Sequence, residues 1–131
     1  MRADNTRGMS APLRWTGYVL TVVCVLFLLL DGVMHVIQPA PVIEASTRIG
    51  VPSRLNVIAG VIELVCLALY AIPRTALLGM VLLTGYLGGA TAIQLRAGSL
   101  PFESIFPVIF GALLWVALWL RDARARSLLE A

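Results

Sequence analysis

Hydrophobic residues occupy four long stretches of the chain, and polar residues collect between them. The stretches cover residues 15–37, 54–72, 76–95 and 105–120, which together form one transmembrane domain over 15–120. Each stretch is close to the roughly 20 residues that an α-helix needs to cross the hydrocarbon core of a bilayer. Because lipid offers the backbone no hydrogen-bond partners, such spans are helical. The pattern therefore predicts an all-α, integral membrane four-helix bundle.

Polar segments form the two ends of the chain and the connections between these spans. An irregular tail is expected over residues 1–14, and a basic tail over 121–131 follows the last span. The connection after the first span is long enough for a short interfacial helix over 42–49, and Pro107 falls in the first turn of the fourth span. The second and third spans are joined by only a few residues around Pro73, so they must be antiparallel neighbours.

Composition and charge agree with a membrane location. Of the 131 residues 60% are apolar and only 13% are charged, against roughly 25% charged residues in soluble domains. All ten basic residues are arginine, and they lie at the ends of the apolar stretches, which indicates topology signals and no nucleic-acid partner. Seven arginines fall on one side of a four-span arrangement and three on the other. The positive-inside rule then predicts that both termini are cytoplasmic.

Three ionisable residues, Asp31, His35 and Glu63, lie inside the predicted spans. A charge in hydrocarbon is costly, so it usually marks a functional site or a buried pair. With a rise of ~1.5 Å per residue, Asp31 lies about 10 Å, Glu63 about 13 Å and Tyr86 about 15 Å from the outer end of its span. These three side chains form one layer if their helices turn these faces inward.

The partner of Glu63 has to come from another helix. Asp31 and His35 are four residues apart and share one helix face, whereas the neighbours of Glu63 in its own span are apolar. Three interpretations stay open. One is a buried hydrogen-bonded knot that sets helix register, the second is an outward-facing pocket that binds a small polar head or a quinone-like ring, and the third is an interface to a partner subunit. The candidate ligand-binding residues are Asp31, His35, Glu63, Thr84, Tyr86, Thr91 and Gln94.

Small residues and cysteines add two expectations. Gly85, Gly88 and Gly89 in the third span are predicted to pack against another helix, since Gly-x-x-x-Gly spacing lets two backbones approach closely. Cys24 and Cys66 lie in the middle of apolar stretches and are interpreted as small buried hydrophobic residues. With a single histidine, no bis-histidine haem site and no structural zinc set are expected, so no metal site is predicted.

Several motifs are spread from Trp15 to Asp122: Asp31-Gly32, Gly60-Val61-Ile62-Glu63, Ile72-Pro73-Arg74-Thr75, Thr84-Gly85-Tyr86-Leu87-Gly88-Gly89-Ala90 and Leu120-Arg121-Asp122. Together they resemble the DoxX-like family of small bacterial membrane proteins. The resemblance implies a four-helix bundle in the inner (plasma) membrane of a bacterial cell. It also implies a distant link to the small subunit of thiosulfate:quinone oxidoreductase and to membrane oxidoreductase complexes. His35 stands where that family more often has lysine.

Three functions follow as hypotheses. The leading one is an accessory subunit of a quinone-linked redox or stress-response system, with a quinone or lipid as ligand and a membrane or redox protein as partner. The alternative is an enzyme, a membrane isomerase or cyclase that acts on an isoprenoid-like substrate, because two carboxyl groups in different environments can serve as acid and base. The third is a structural membrane oligomer built on the glycine face of the third span.

Overall fold

The computed structural model describes residues 9–131, and within them it forms six helices. These are α1 (Ala11–Ile37), α2 (Ala40–Arg48), α3 (Ser53–Ala71), α4 (Ala76–Arg96), α5 (Pro101–Arg121) and α6 (Ala123–Leu129). Four of them, α1, α3, α4 and α5, are long and apolar enough to cross a membrane. Large apolar side chains are exposed along all four, a surface that suits lipid and would promote aggregation in water. The chain is thus an integral membrane protein with an all-α, four-span bundle.

Two helices begin earlier than the apolar pattern predicted. The helix α1 starts at Ala11, so the expectation of an irregular tail is wrong for residues 11–14; residues 1–8 lie outside the described part. The helix α5 starts at Pro101, so Pro107 lies inside the helix and not in its first turn. Proline is the second residue of α1 and the first residue of α5, and in the first turn of a helix the missing N–H would have no partner anyway. Hydropathy does not detect such a start.

The four spans contact one another in the cyclic order α1, α3, α4, α5. Each span is antiparallel to the next one along the chain. One end of the bundle, here called the α2 end, holds α2 and the loop at residues 97–100. The opposite end, here called the α6 end, holds α6 and the tight turn between α3 and α4.

The α6 half of the bundle is closely packed. Tyr70, Met80, Leu83 and Leu114 are fully buried there. The Tyr70 hydroxyl donates a hydrogen bond to the main-chain oxygen of Leu114 at 2.8 Å, which ties α3 to α5. The Arg121 guanidinium donates to the main-chain oxygen of Tyr70 at 2.9 Å. Buried side chains and these two hydrogen bonds therefore hold the ends of α3, α4 and α5 together in this half.

Candidate functional site

A cavity of about 320 Å³ lies between the four spans in the α2 half of the bundle. Its polar side is formed by Asp31 and His35 of α1, Glu63 of α3 and Tyr86 of α4. We call these four residues the polar cluster. Three of the four long helices thus contribute at least one polar group to the same small volume.

The polar cluster is held by short contacts. The Tyr86 hydroxyl donates a hydrogen bond to Glu63 Oε2 at 3.0 Å. His35 Nδ1 lies 2.8 Å from the main-chain oxygen of Asp31 and 3.4 Å from its Oδ2. Glu63 is fully buried, whereas the Asp31 side chain is 44% exposed. The structure therefore brings together four of the seven residues that the sequence marked as ligand candidates.

Close approach of α1 and α3 places the two carboxyl groups side by side. A Cβ atom added to Gly60 would lie 2.8 Å from the Gly32 main-chain oxygen and 2.8 Å from His35 Cβ. Gly32 follows Asp31 directly, and Gly60 stands three residues before Glu63 on the same helix face. Because a larger residue at Gly60 would separate the helices, this glycine contact is what positions Asp31 and His35 against Glu63.

The other three candidates differ in their placement. Gln94 lines the cavity at its α2 end. Thr84 and Thr91 do not line it, and each donates its hydroxyl proton to a main-chain oxygen one turn earlier in α4. Thr84 also accepts a hydrogen bond from the Trp115 indole at 2.9 Å. Neither threonine joins the polar cluster, because a hydroxyl on a helix can bond to its own backbone.

The glycines predicted to pack helices do not do so among residues 9–131, which the structure describes. A Cβ atom added to Gly85, Gly88 or Gly89 would meet nothing within 4 Å. The glycines that allow close helix contact are instead Gly17, Gly32, Gly60 and Gly79. These four are isolated in sequence, so no Gly-x-x-x-Gly spacing revealed them. Contact of the Gly85 face with a second copy of the chain stays a prediction.

Sequence reasoning missed the aromatic side of the cavity. Phe27 of α1 and Phe102, Phe106 and Phe110 of α5 line it; we call these four residues the aromatic wall. The Phe27 and Phe110 rings stack with centroids 4.6 Å apart, and the Phe106 and Phe110 centroids are 4.8 Å apart. The spacing of four residues along α5 was a detectable signal. The apolar pattern begins the fourth span only at residue 105, so it leaves Phe102 outside the helix and hides this spacing.

A second cavity, the vestibule, leads from the polar cluster towards α2. It has a volume of about 560 Å³ and lies between α2, the loop at 97–100 and the ends of the spans. Asp31, His35, Gln94 and Glu103 line both cavities. Polar side chains therefore form a continuous lining from the α2 end to the buried Glu63.

Comparison with known proteins gives one positive result. A search of curated proteins and a search of solved structures give no match to the chain. The sequence model described as the DoxX-like family matches residues 19–117, a range that includes the whole polar cluster and most of α1, α3, α4 and α5. The chain therefore belongs to the DoxX-like family.

Proposed function

We propose that this protein is an accessory membrane subunit of a quinone-linked redox or stress-response system, and that it binds a quinone or a similar lipid in the cavity of the α2 half. The observation that carries the proposal is that the aromatic wall and the polar cluster face the same cavity. Small-molecule sites are concave and mostly apolar, with a few convergent polar groups and volumes of roughly 300–1,000 Å³. About 320 Å³ is at the low end of that range, which favours a single ring over a whole lipid.

The chemistry of a quinone head matches the two sides of the cavity. Its flat ring can stack on the phenyl rings of Phe106 and Phe110. One of its carbonyl oxygens can accept a hydrogen bond from the Tyr86 hydroxyl if that hydroxyl turns away from Glu63 Oε2, to which it donates in the structure. Phe27 and Phe102 are 42% and 67% exposed, so an isoprenoid tail could leave past them into lipid. Quinone reduction takes two electrons, so the proposal requires a partner redox protein as their source.

Binding of decylubiquinone to the purified chain in lipid nanodiscs tests the proposal. Tyr86→Phe removes one hydroxyl, and a net loss of about 0.5–1.5 kcal/mol for one hydrogen bond corresponds to roughly 2- to 13-fold weaker binding. Phe106→Ala removes a stacking surface of similar worth. Thr91→Val is the matched control, because it removes a hydroxyl from α4 outside the cavity. Native mass spectrometry across a concentration series gives the affinities.

Two outcomes would contradict quinone binding. One is a wild-type protein that retains no decylubiquinone at any concentration in the series. The other is equal affinity of wild type, Tyr86→Phe and Phe106→Ala for decylubiquinone, because a ligand that contacts neither side of the cavity binds elsewhere.

A second candidate function is a membrane isomerase or cyclase for an isoprenoid-like substrate. The observation that favours it is the unequal exposure of two carboxyl groups on one cavity, with Glu63 fully buried and Asp31 partly exposed. Groups in such different environments can divide the roles of acid and base. Turnover of an isoprenoid substrate that is abolished by Glu63→Gln and kept by Glu44→Gln would support this candidate. Turnover that survives Glu63→Gln would exclude it.

We also propose a location in the bacterial inner membrane with both termini cytoplasmic. The support is the excess of arginines at the α6 end, where Arg14, Arg74 and Arg121 lie. The vestibule would then open to the non-cytoplasmic side. A green fluorescent protein fused to the C terminus should fluoresce, and alkaline phosphatase at the same point should be inactive. Active alkaline phosphatase at the C terminus would contradict the proposal and show that the C terminus is not cytoplasmic.

A further inference from the structure

Three side chains of the polar cluster are of the types that bind metal ions, and they converge. One ligand atom each from Asp31, His35 and Glu63 can be chosen so that all three lie within 4.8 Å of one another. Bonds of about 2.0–2.2 Å to a shared cation put ligand atoms roughly 3–4 Å apart. Small rotations of these side chains would therefore bring all three onto one ion.

Glu63 supplies an independent observation that points to a ligand. Its side chain lines the cavity and is 0% exposed. Tyr86 donates to Oε2, whereas no N–H or hydroxyl group among the described residues donates to Oε1. The Asp31 carboxyl lies within hydrogen-bonding distance of the Glu63 carboxyl, so a shared proton or a cation has to lie between the two. A buried polar atom without a partner is costly, so it calls for a compensating group. A cation between Glu63 and Asp31 would satisfy this oxygen and offset the repulsion between the two carboxylates.

The contact of His35 with its own helix resembles that of a metal-binding histidine. A hydrogen bond from Nδ1 to the Asp31 main-chain oxygen at 2.8 Å requires the proton on Nδ1. The lone pair of Nε2 is then available to a ligand. Metal-binding histidines commonly donate their other ring N–H to a carbonyl oxygen in this way, which fixes the tautomer and the ring orientation.

The lining of the two cavities favours the entry of cations. Among the described residues, the carboxyl groups of Asp31, Glu63 and Glu103 line them, against the one guanidinium of Arg48. The weak dielectric screening of a membrane interior strengthens the attraction of this negative charge for a cation. The vestibule connects the α2 end to Asp31 and His35, so a hydrated ion has a polar path to the cluster.

We propose that Asp31, His35 and Glu63 form a binding site for a divalent transition-metal cation, with the Tyr86 hydroxyl orienting the Glu63 carboxylate. One imidazole and two carboxylates suit Zn²⁺, Mn²⁺ or Fe²⁺ better than Ca²⁺ or Mg²⁺, which prefer oxygen ligands alone. Three protein ligands leave at least one coordination position open towards the cavity. The site does not rest on the quinone proposal, because it uses neither the aromatic wall nor a lipid.

Zn²⁺ binding to the full chain tests this site. The protein is purified in detergent through a tag that contains no histidine, stripped with a chelator and titrated with Zn²⁺ by calorimetry. We expect one Zn²⁺ per chain. Asp31→Asn, His35→Gln and Glu63→Gln should each weaken binding more than about 100-fold, and Tyr86→Phe about 10- to 100-fold, as expected for a residue that supports a ligand. Circular dichroism and gel filtration identify any variant that fails to fold.

Three controls make the outcome decisive. Glu44→Gln removes an exposed carboxylate of α2 that lines neither cavity and should leave the affinity unchanged. Cys66→Ala should also leave it unchanged, which separates this site from binding by thiols. Phe106→Ala should weaken decylubiquinone binding while keeping one Zn²⁺ per chain. The proposal is overturned if the wild type binds no stoichiometric Zn²⁺, or if folded Glu63→Gln and His35→Gln bind it as tightly as the wild type.

Discussion

The crossing of α1 and α3 at Gly60 gives the sharpest test of how the fold builds the site. Gly60→Ala adds one methyl group at the point where the helices are closest. That Cβ would lie 2.8 Å from the Gly32 main-chain oxygen, 2.8 Å from His35 Cβ and 3.0 Å from Val36 Cγ2. Non-bonded carbon atoms are optimally about 3.5–4.0 Å apart. The two helices would therefore have to separate by roughly 0.7 Å or more.

The energetic cost follows from comparison with a matched substitution. Forcing an extra methyl group into a packed interior typically costs about 1–3 kcal/mol. Gly89→Ala makes the same chemical change within α4, where the new Cβ meets nothing within 4 Å. Both variants share the gain in helix propensity from glycine to alanine, which is about 1 kcal/mol. The difference between them therefore isolates the crossing, and we expect Gly60→Ala to be less stable by about 1–3 kcal/mol.

Equilibrium unfolding in mixed micelles, with sodium dodecyl sulfate as denaturant and helicity as the signal, measures this difference. We also expect Gly60→Ala to weaken Zn²⁺ binding, because the separation moves Asp31 and His35 away from Glu63. Gly89→Ala should leave Zn²⁺ binding unchanged. A stability difference below about 0.5 kcal/mol, which is within the range of neutral surface substitutions, would refute the view that this crossing is sterically tight.

Three further substitutions test other contacts of the bundle. Tyr70→Phe removes the buried hydrogen bond to the Leu114 main-chain oxygen and should cost about 0.5–1.5 kcal/mol in the same unfolding assay; unchanged stability would show that this bond contributes nothing. Asp122→Ala removes the carboxylate that accepts two main-chain N–H groups at the start of α6, which should cost about 1 kcal/mol and speed amide exchange in α6 but not in α5. Gly79→Ala would place a Cβ against the Tyr70 backbone, so it should destabilise the protein more than Gly60→Ala; a milder effect would mean that the turn between α3 and α4 can open.

The helices could be predicted because a bilayer imposes a length and an apolar composition on each span. Their ends were harder to predict. The first turn of α5 contains Pro101 and Glu103, which an apolar pattern cannot separate from a loop. The short helix predicted over 42–49 begins two residues earlier, at Ala40. Pro41 is the second residue of this helix, and proline is compatible with the first turn of a helix as well as with the end of the preceding one.

Some features of the candidate site could also be predicted from the sequence, and others could not. Asp31 and His35 share a face because the helical period puts residues four apart on one side, so the sequence alone determines that pair. It also determines the approximate depth of Glu63 and Tyr86, because the rise per residue is constant. The depth of a residue in the membrane does not tell how its helix is rotated about its axis, and so does not tell which neighbouring helix the side chain faces. The sequence could not choose the partner of Glu63, and only the structure selects Tyr86 while turning Thr84 and Thr91 to their own backbone.

The amino-acid sequence alone is enough to predict a four-span membrane bundle with ionisable groups at similar depth. Both conclusions depend on local properties, namely hydropathy, helix period and rise per residue. The packed bundle was needed to show that Gly32 and Gly60 form the close crossing, and that the aromatic wall and the polar cluster line the same cavity. Side-chain packing, and not any local property of the chain, sets the distance between helices and the rotation of each helix about its axis. Those two quantities decide which residues share a cavity.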